Sequence, residues 1–355
     1  MPRIPPLLLT QAASIDPNLA RLLPVCRGLA SARNELRWLT EHVVGDVPPS
    51  ARLTDRQRAK LKQLCTRRRT GEPLQYILGT QPFGKLDIRC RAGVLVPRSE
   101  TEAYTLYLAD ILRRRQGEEG MRIIDFCTGT GCIPLLLYSE LQNCRGQRVT
   151  EVRGVDISPE AVDLSHENLR YSISTGKIQP PSAQCRISFV QADVFDDTAI
   201  AEVSRGGPWD VLVSNPPYVS REAWTEGNRG LSMSARKFEP KLALVPQDEV
   251  PRSEHCQHED AFYERLLAVA RALRSRVILL ELGDAEQARR VLTLIHCSGL
   301  LRDDSRIEVW RDWPDIQRQE DEDDMLDAQK SNGENWRVKV RGSGNIRCIF
   351  MMISL

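Results

Sequence analysis

Apolar positions recur at helical spacing through residues 17–75. In "LARLLPVCRGLASARNELRWLTEHV" they fall on one face of a helix. "TDRQRAKLKQLCTRRRTGEP" begins at Thr54, a good N-cap, and Gly71 and Pro73 end it. Residues 1–75 are therefore expected to form a small helical domain. From 76 to 97 the character changes: Gly79, Gly84 and Gly93 punctuate short apolar pieces, which predicts a β-hairpin connector. "SETEAYTLYLADILRRR" then reads as a helix, with Ser99 as cap and Glu102 three residues on, a capping box.

From Met121 strand and helix patterns alternate. The strands are expected at Arg122–Phe126, Val149–Asp156, Ile187–Ala192, Val211–Ser214, Arg276–Glu281, Arg306–Trp310 and within Arg347–Ile353. Helical stretches such as "SPEAVDLSHENLRYS" and "DAEQARRVLTLIHCSG" lie between most of them. That alternation predicts an α/β fold, a doubly wound, seven-stranded Rossmann-like sheet over residues 98–355. Little helix separates the last two strands, which are expected to pair antiparallel at an edge. "RQEDEDDMLDAQKSNGEN", about 318–335, is acidic and polar and reads as a flexible insertion.

Composition narrows the function. With 49 basic and 48 acidic residues the net charge is +1, which speaks against a dedicated binder of long nucleic acid. No apolar run is long enough for a membrane span. The ten cysteines form no CxxC pair, so reduced thiols are expected. "HCQH", His255–His258, has no second ligand pair nearby and reads as a solvated loop rather than a metal site. Residues 1–40 carry five arginines against Asp16 and Glu35, compatible with a short presequence at 1–16 or with the first helix of a small domain. "RQRAKLKQLCTRRR" holds seven basic residues, a surface for RNA or a ribosome-bound partner or simply a solvated helix face.

"IIDFCTGTGC" places a glycine-rich turn directly after the first strand of the α/β region. Gly129 and Gly131 let backbone N–H groups approach a ligand at the mouth of the next helix. Pro134 stands where a dinucleotide fingerprint would have glycine or alanine, which argues against NAD and FAD. Asp156 ends the second strand 25 residues after Gly131, where an acid meets ribose hydroxyls or caps the next helix. Asp193 ends the third strand and is a candidate acceptor for an adenine amino group, or a plain loop aspartate. An adenosine ligand without phosphate fits these features. S-adenosylmethionine is such a ligand, and Asp125 could pair with its ammonium.

"DVLVSNPPYVS" raises the sharper question. A buried strand stops on Asn215, Pro216, Pro217 and Tyr218. Ligands of an open α/β sheet sit beyond the carboxyl ends of strands at the topological switch point, between the first and fourth strands. The glycine loop and "NPPY" should therefore face one pocket. An amide or aromatic amino nitrogen is a poor nucleophile because its lone pair is delocalised. The Asn215 side-chain oxygen and the Pro216 carbonyl, fixed by Pro217, would hold its two N–H groups and stabilise the growing positive charge. Tyr218 would wall a planar NH2 group. Positioning replaces a histidine base.

With "GEPLQYILGTQPFG", "VLVPRSETE", "DFCTGTGC", "GVDISPEAV", "FVQADVF" and "SNPPYVS" in order, the chain resembles the protein-(glutamine-N5) methyltransferases that modify peptide chain release factors. "NPPY" alone is shared with DNA N6-adenine and N4-cytosine methyltransferases. The other motifs are more specific. The resemblance implies a class I S-adenosylmethionine-dependent methyltransferase domain behind a substrate-recognition helical domain. The implied substrate is the glutamine of the Gly-Gly-Gln loop of a release factor. It implies cofactor contacts from Asp125, Cys127, Thr128, Gly129, Thr130, Gly131, Asp156, Ile157, Asp193, Val194 and Asn215, and from Phe83 of "PFG". Substrate contacts are implied for Arg98, Glu100 and Thr101 of "PRSET", with Asn215, Pro216 and Tyr218. No metal, membrane or stable nucleic-acid binding is implied, and a monomer is expected. Members with the helical domain resemble bacterial and organellar enzymes, so a mitochondrial, fungal-type member is expected, cytoplasmic if prokaryotic.

The chain also departs from that pattern. Cys127 stands where glycine is usual, so the backbone there is expected to stay out of glycine-only angles while accommodating a small side chain. "RDWPD", Gln247–Asp260 and "ALRSRVILLELG" also differ, and are expected to lie away from the pocket. Two other functions remain open at this stage: a DNA or RNA N6-adenine or N4-cytosine methyltransferase, which would flip a base into the same pocket, and a non-catalytic S-adenosylmethionine-binding protein.

Overall fold

The computed structural model describes residues 4–45, 52–114, 120–142, 149–226, 232–330 and 332–353. Residues 1–3 of the presequence expectation lie outside them. Local signals start the first helices: Pro6 opens α1 (Pro6–Ile15), and Asp16 accepts from the Asn18 N–H at 2.7 Å to cap α2 (Pro17–Cys26). α3 (Leu29–Val44) and α4 (Asp55–Arg69) follow, the latter opened by the Thr54–Gln57 capping box. Leu19, Leu22, Leu23, Leu39, Leu61 and Leu64 close a core among them and the short α5 (Leu74–Leu78). Residues 6–15 thus form a helix that buries Ala12 in this core. A buried bidentate pair, Arg68 with Glu35 at 2.7 and 2.9 Å, ties α4 to α3. Arg58 pairs with Asp55 and Arg67 with Glu72, so with Arg68 three of the seven basic residues of that run are engaged within the chain.

β1 (Thr80–Phe83) and β2 (Leu86–Arg89) form an antiparallel hairpin. α6 (Ser99–Arg114) starts one residue earlier than the capping-box expectation: the Glu102 N–H donates to the Arg98 carbonyl, and the Ser99 hydroxyl donates to Glu100. Next come β3 (Met121–Phe126), α7 (Cys132–Leu141), β4 (Val149–Asp156), α8 (Pro159–Ser174), β5 (Arg186–Gln191), α9 (Asp197–Val203) and β6 (Val211–Ser214). α10 (Arg221–Glu226), α11 (Met233–Phe238), α12 (Ala261–Ala272), β7 (Val277–Glu281) and α13 (Ala285–Cys297) lead to β8 (Arg306–Trp313), β9 (Met325–Gln329), β10 (Asn335–Arg341) and β11 (Ser343–Met352).

The sheet has nine strands in the order β5-β4-β3-β6-β7-β11-β8-β10-β9, two more than expected. Both its faces are covered. Ile124, Leu212, Ile278 and Leu280 pack on one side with α12 and α13. Ile123, Val211, Val213 and Leu279 pack on the other with α6 and α7. The stretch read as a flexible acidic insertion contains β9, and β10 begins at its end. Leu326, Ala328, Val338 and Val340 turn into the core while Asp327, Arg337 and Lys339 alternate outward. Asp327 and Arg337 face each other across the pair at 3.2 Å. The expected antiparallel pair, β8 with β11, exists, but β11 lies between β7 and β8, and β9 and β10 form the edge.

Candidate active site

β3 pairs in parallel with β4 on one side and β6 on the other, which makes it the switch point of the sheet. Beyond these carboxyl ends lies a cavity of about 280 Å³. Cys127, Thr128, Gly129 and Thr130 border it from the β3–α7 loop. The loop turns through left-handed backbone at Cys127 (φ 60°), Gly129 (φ 56°) and Gly131 (φ 77°). Cys127 therefore takes a left-handed angle that glycine adopts freely and other residues only uncommonly. Gly131 lies behind the wall: a Cβ there would stand 2.8 Å from Ser165 and 2.9 Å from the Phe189 ring. Gly154 has the same close approach, 2.6 Å from Phe189 and 2.7 Å from Thr128 Oγ1. Phe189 thus packs directly under the loop and holds it up to the cavity.

Three aspartates end three neighbouring strands. Asp125, on β3, is fully buried behind the lining, and among the described residues neither carboxylate oxygen makes a hydrogen bond of good geometry, the Thr128 hydroxyl being its nearby polar neighbour. Burial pushes its carboxyl well above the usual carboxylate range; the Asp156 charge adds to this and the Thr128 hydroxyl opposes it. Asp156 borders the cavity with Ile157. Its Oδ2 accepts from the Gly129 N–H at 2.8 Å and its Oδ1 from Ser158 at 2.9 Å, while the Ser158 hydroxyl caps α8. Burial raises its carboxyl, and these N–H donors hold it down. Asp193 and Val194 border the cavity too; Asp193 Oδ1 accepts from Phe195 at 2.9 Å.

The Asn215–Tyr218 turn faces the glycine loop across the switch point. The Ser214 hydroxyl donates to the Phe126 carbonyl at 2.8 Å and locks the two strand ends together. Asn215 and Pro217 border the cavity, and the Asn215 side-chain amide has no hydrogen-bond partner among the described residues. Pro216 is buried and Tyr218 is half-buried, and neither borders it. Tyr218 is thus no wall of this space: its hydroxyl donates to Glu281 Oε1 at 3.1 Å, away from it. Arg98 and Thr101 border the cavity, with Arg98 donating to both oxygens of buried Glu239 at 2.8 Å. Glu100 does not border it. Phe83 does not reach it either. The hairpin register sets it beside Leu86 in the core against α7, and a Cβ on Gly84 would meet Leu136 at 2.6 Å.

Residues 26–79 match the family model for the PrmC N-terminal domain. A Saccharomyces cerevisiae protein named mitochondrial MRF1 N(5)-glutamine methyltransferase is 36% identical over 70% of this chain and 70% of its own length. The chain belongs to the release-factor glutamine methyltransferase family. A Schizosaccharomyces pombe relative, named as a probable mitochondrial MRF1 N(5)-glutamine methyltransferase, is 31% identical over 79% of this chain and 85% of its own. The Escherichia coli release factor glutamine methyltransferase is 33% identical over 61% and 70%. The chain is accordingly an enzyme, which removes the non-catalytic reading.

Sequence reasoning missed several parts of this candidate site. Gln247, Glu249, Val250 and Pro251 border the cavity, so the divergent Gln247–Asp260 segment is not remote from it. Farther along that segment, Cys256 is buried and His258 Nε2 lies 2.9 Å from the Gln247 carbonyl. Glu239 and Gln287 were also missed. Gln287 Nε2 lies 3.3 Å from the Tyr218 carbonyl and donates to Asp260 at 2.9 Å. The one local signal for Glu239 is its place before a proline, and nothing near Gln287 marks it.

Proposed function

We propose that the chain transfers a methyl group from S-adenosylmethionine to the side-chain amide nitrogen of the glutamine in the Gly-Gly-Gln loop of a peptide chain release factor. One observation carries this: a cavity at the sheet's switch point joins the glycine loop to Asn215, whose amide is unengaged, in a chain of this family. The residues fit the cofactor. Asp125, directly behind the lining, is a buried carboxylate without a hydrogen bond of good geometry among the described residues, suited to an ammonium group. Asp156 keeps lone pairs for ribose hydroxyls, and Asp193 stands beside Val194 for an adenine amino group. When bound, the cofactor supplies an electrophilic methyl group.

The chain's own part is orientation and charge. The Asn215 oxygen and the Pro216 carbonyl accept the two N–H groups of the glutamine amide and aim its nitrogen. Charge that grows on nitrogen is stabilised by these fixed acceptors, which need no rearrangement as the reaction proceeds. Arg98 and Thr101 line the same cavity, with Arg98 held still by Glu239. The names of the two yeast relatives support a mitochondrial address, and that of the Escherichia coli relative supports a release factor as substrate.

Transfer of labelled methyl to a mitochondrial-type release factor tests the reading, with a Gln→Ala variant of its Gly-Gly-Gln loop, duplex DNA and single-stranded DNA as parallel acceptors. Label on the intact release factor alone is expected. Label on nucleic acid would place the chain in the base-modifying branch.

A further inference from the structure

Glu281 ends β7 directly under the Asn215–Tyr218 turn and is 1% exposed, yet the transfer chemistry above does not use it. Its Oε1 accepts from the Tyr218 hydroxyl at 3.1 Å and its Oε2 from the Thr101 hydroxyl at 2.8 Å. The Tyr263 hydroxyl donates to its backbone carbonyl at 2.8 Å. Arg347 supplies the nearby positive charge; its guanidinium donates to Asp312 at 2.8 Å and to the Leu282 carbonyl at 3.4 Å. β11 runs antiparallel to both β7 and β8, so Asp312, near the carboxyl end of β8, lies at the same end of the strands as Glu281.

A carboxylate here is costly unless its oxygens are occupied and its charge is balanced. Packing does not require it, because its neighbours Leu279, Leu280 and Leu282 are fully buried leucines. What the carboxylate does provide is direction. It accepts one hydrogen bond from the NPPY turn and one from the start of α6, two elements that both line the cavity. Tyr218 is held at its other end by Gln287, and Gly283 leaves room for its ring: a Cβ there would stand 3.3 Å away.

We propose that Glu281 is a positioning residue for the methyl transfer: by fixing the Tyr218 hydroxyl and Thr101 it braces the NPPY turn from behind and sets the angle at which Asn215 presents the substrate nitrogen. This rests on the glutamine-transfer reading. Tyr218 then acts through the turn it stiffens, which agrees with its place behind the cavity wall rather than in it.

The test is a double-mutant cycle with Glu281→Gln and Tyr218→Phe, read as kcat and KM for release-factor methylation, cofactor affinity and thermal unfolding. Glutamine keeps the size but cannot accept both hydroxyls at full charge. Each single variant is expected to lower kcat by about tenfold or more, as small misplacements of a reacting group do. Cofactor affinity should stay within about twofold, and the double variant should be no slower than the worse single by more than about twofold, because the two residues act as one unit. Effects on kcat that multiply, or an unchanged kcat in folded Glu281→Gln, would overturn the proposal. If Glu281→Gln does not fold, Tyr218→Phe decides alone: full kcat in that folded variant overturns it. Should the wild-type chain label nucleic acid instead, the substrate reading fails separately, and the same cycle read on that acceptor still decides the role of Glu281.

Discussion

Asp125→Asn separates a ligand partner from a purely structural acid. The carboxylate is fully buried and neither oxygen has a well-formed hydrogen bond among the described residues, so burial disfavours its charged form in the free protein more than the Thr128 hydroxyl favours it. Its native pKa lies above its unfolded value. Between the two values the folded state binds more protons than the unfolded state, so stability falls as pH rises through that window. An ammonium group docking there reverses the balance. Binding then expels the proton, and affinity should increase with pH across the same window and level off above it. Asparagine keeps the shape and abolishes the charge. At mildly alkaline pH the free variant should be more stable than wild type by about 1 kcal/mol, the low end of the cost of an unsatisfied buried group. Its affinity for S-adenosylmethionine should fall by roughly 30-fold, equivalent to about 2 kcal/mol for loss of a buried charge pair. Calorimetric titration of both proteins across a pH series, with thermal unfolding alongside, measures each term. Equal affinity for the two proteins, with the same pH slope, would show that Asp125 does not meet the cofactor.

Asn215→Ala should cut turnover by roughly two orders of magnitude, as loss of one preorganised transition-state contact does, with a far smaller change in cofactor affinity. Near-full activity would refute the assigned role of Asn215. Cys127→Gly removes a left-handed strain worth about 1–2 kcal/mol and gives back up to about 1 kcal/mol through a freer unfolded chain. The variant should therefore unfold at an equal or slightly higher temperature, and a marked drop would contradict the strain argument. Gly154→Ala should destabilise by about 1–3 kcal/mol, since its Cβ would press Phe189 and Thr128 Oγ1 at under 3 Å and lift the cofactor loop. Weaker cofactor binding at temperatures where the variant is still folded is the accompanying expectation.

The parts of the fold that could be read in advance are those where local chemistry and tertiary packing agree. Val211–Ser214 is an unbroken apolar run because both of its faces are buried, and it forms the expected strand with the expected boundaries. Thr54 caps α4 as its sequence proposes. The failures came where one signal hid another. In Met325–Gln329 and Asn335–Arg341 the apolar residues alternate with charges, the mark of a strand with one wet face, but the acidic run before them dominates the composition. Ser99 has the right residues for a capping box, yet α6 begins one residue sooner because the Arg98 carbonyl already accepts from Glu102.

The candidate site divides along the same line. Thr128–Thr130 of its glycine loop, Asp156, Asp193 and Asn215 border the cavity because each sits at or just past the carboxyl end of a strand, and topology alone brings strand ends together; Asp125 and Gly131, expected there too, lie behind its wall. Phe83 was misplaced because sequence nearness to a motif says nothing about which side of a hairpin a ring faces; the Phe83–Leu86 pairing decides that. Glu239 and Glu281 were invisible for a deeper reason. Each is a charge whose meaning lies in a distant partner, Arg98 for one and Tyr218 and Thr101 for the other. A buried carboxylate is tolerable only once those partners have arrived, so no local pattern can mark it. The residues that hold a site still are for this reason harder to read from sequence than the residues that touch the ligand.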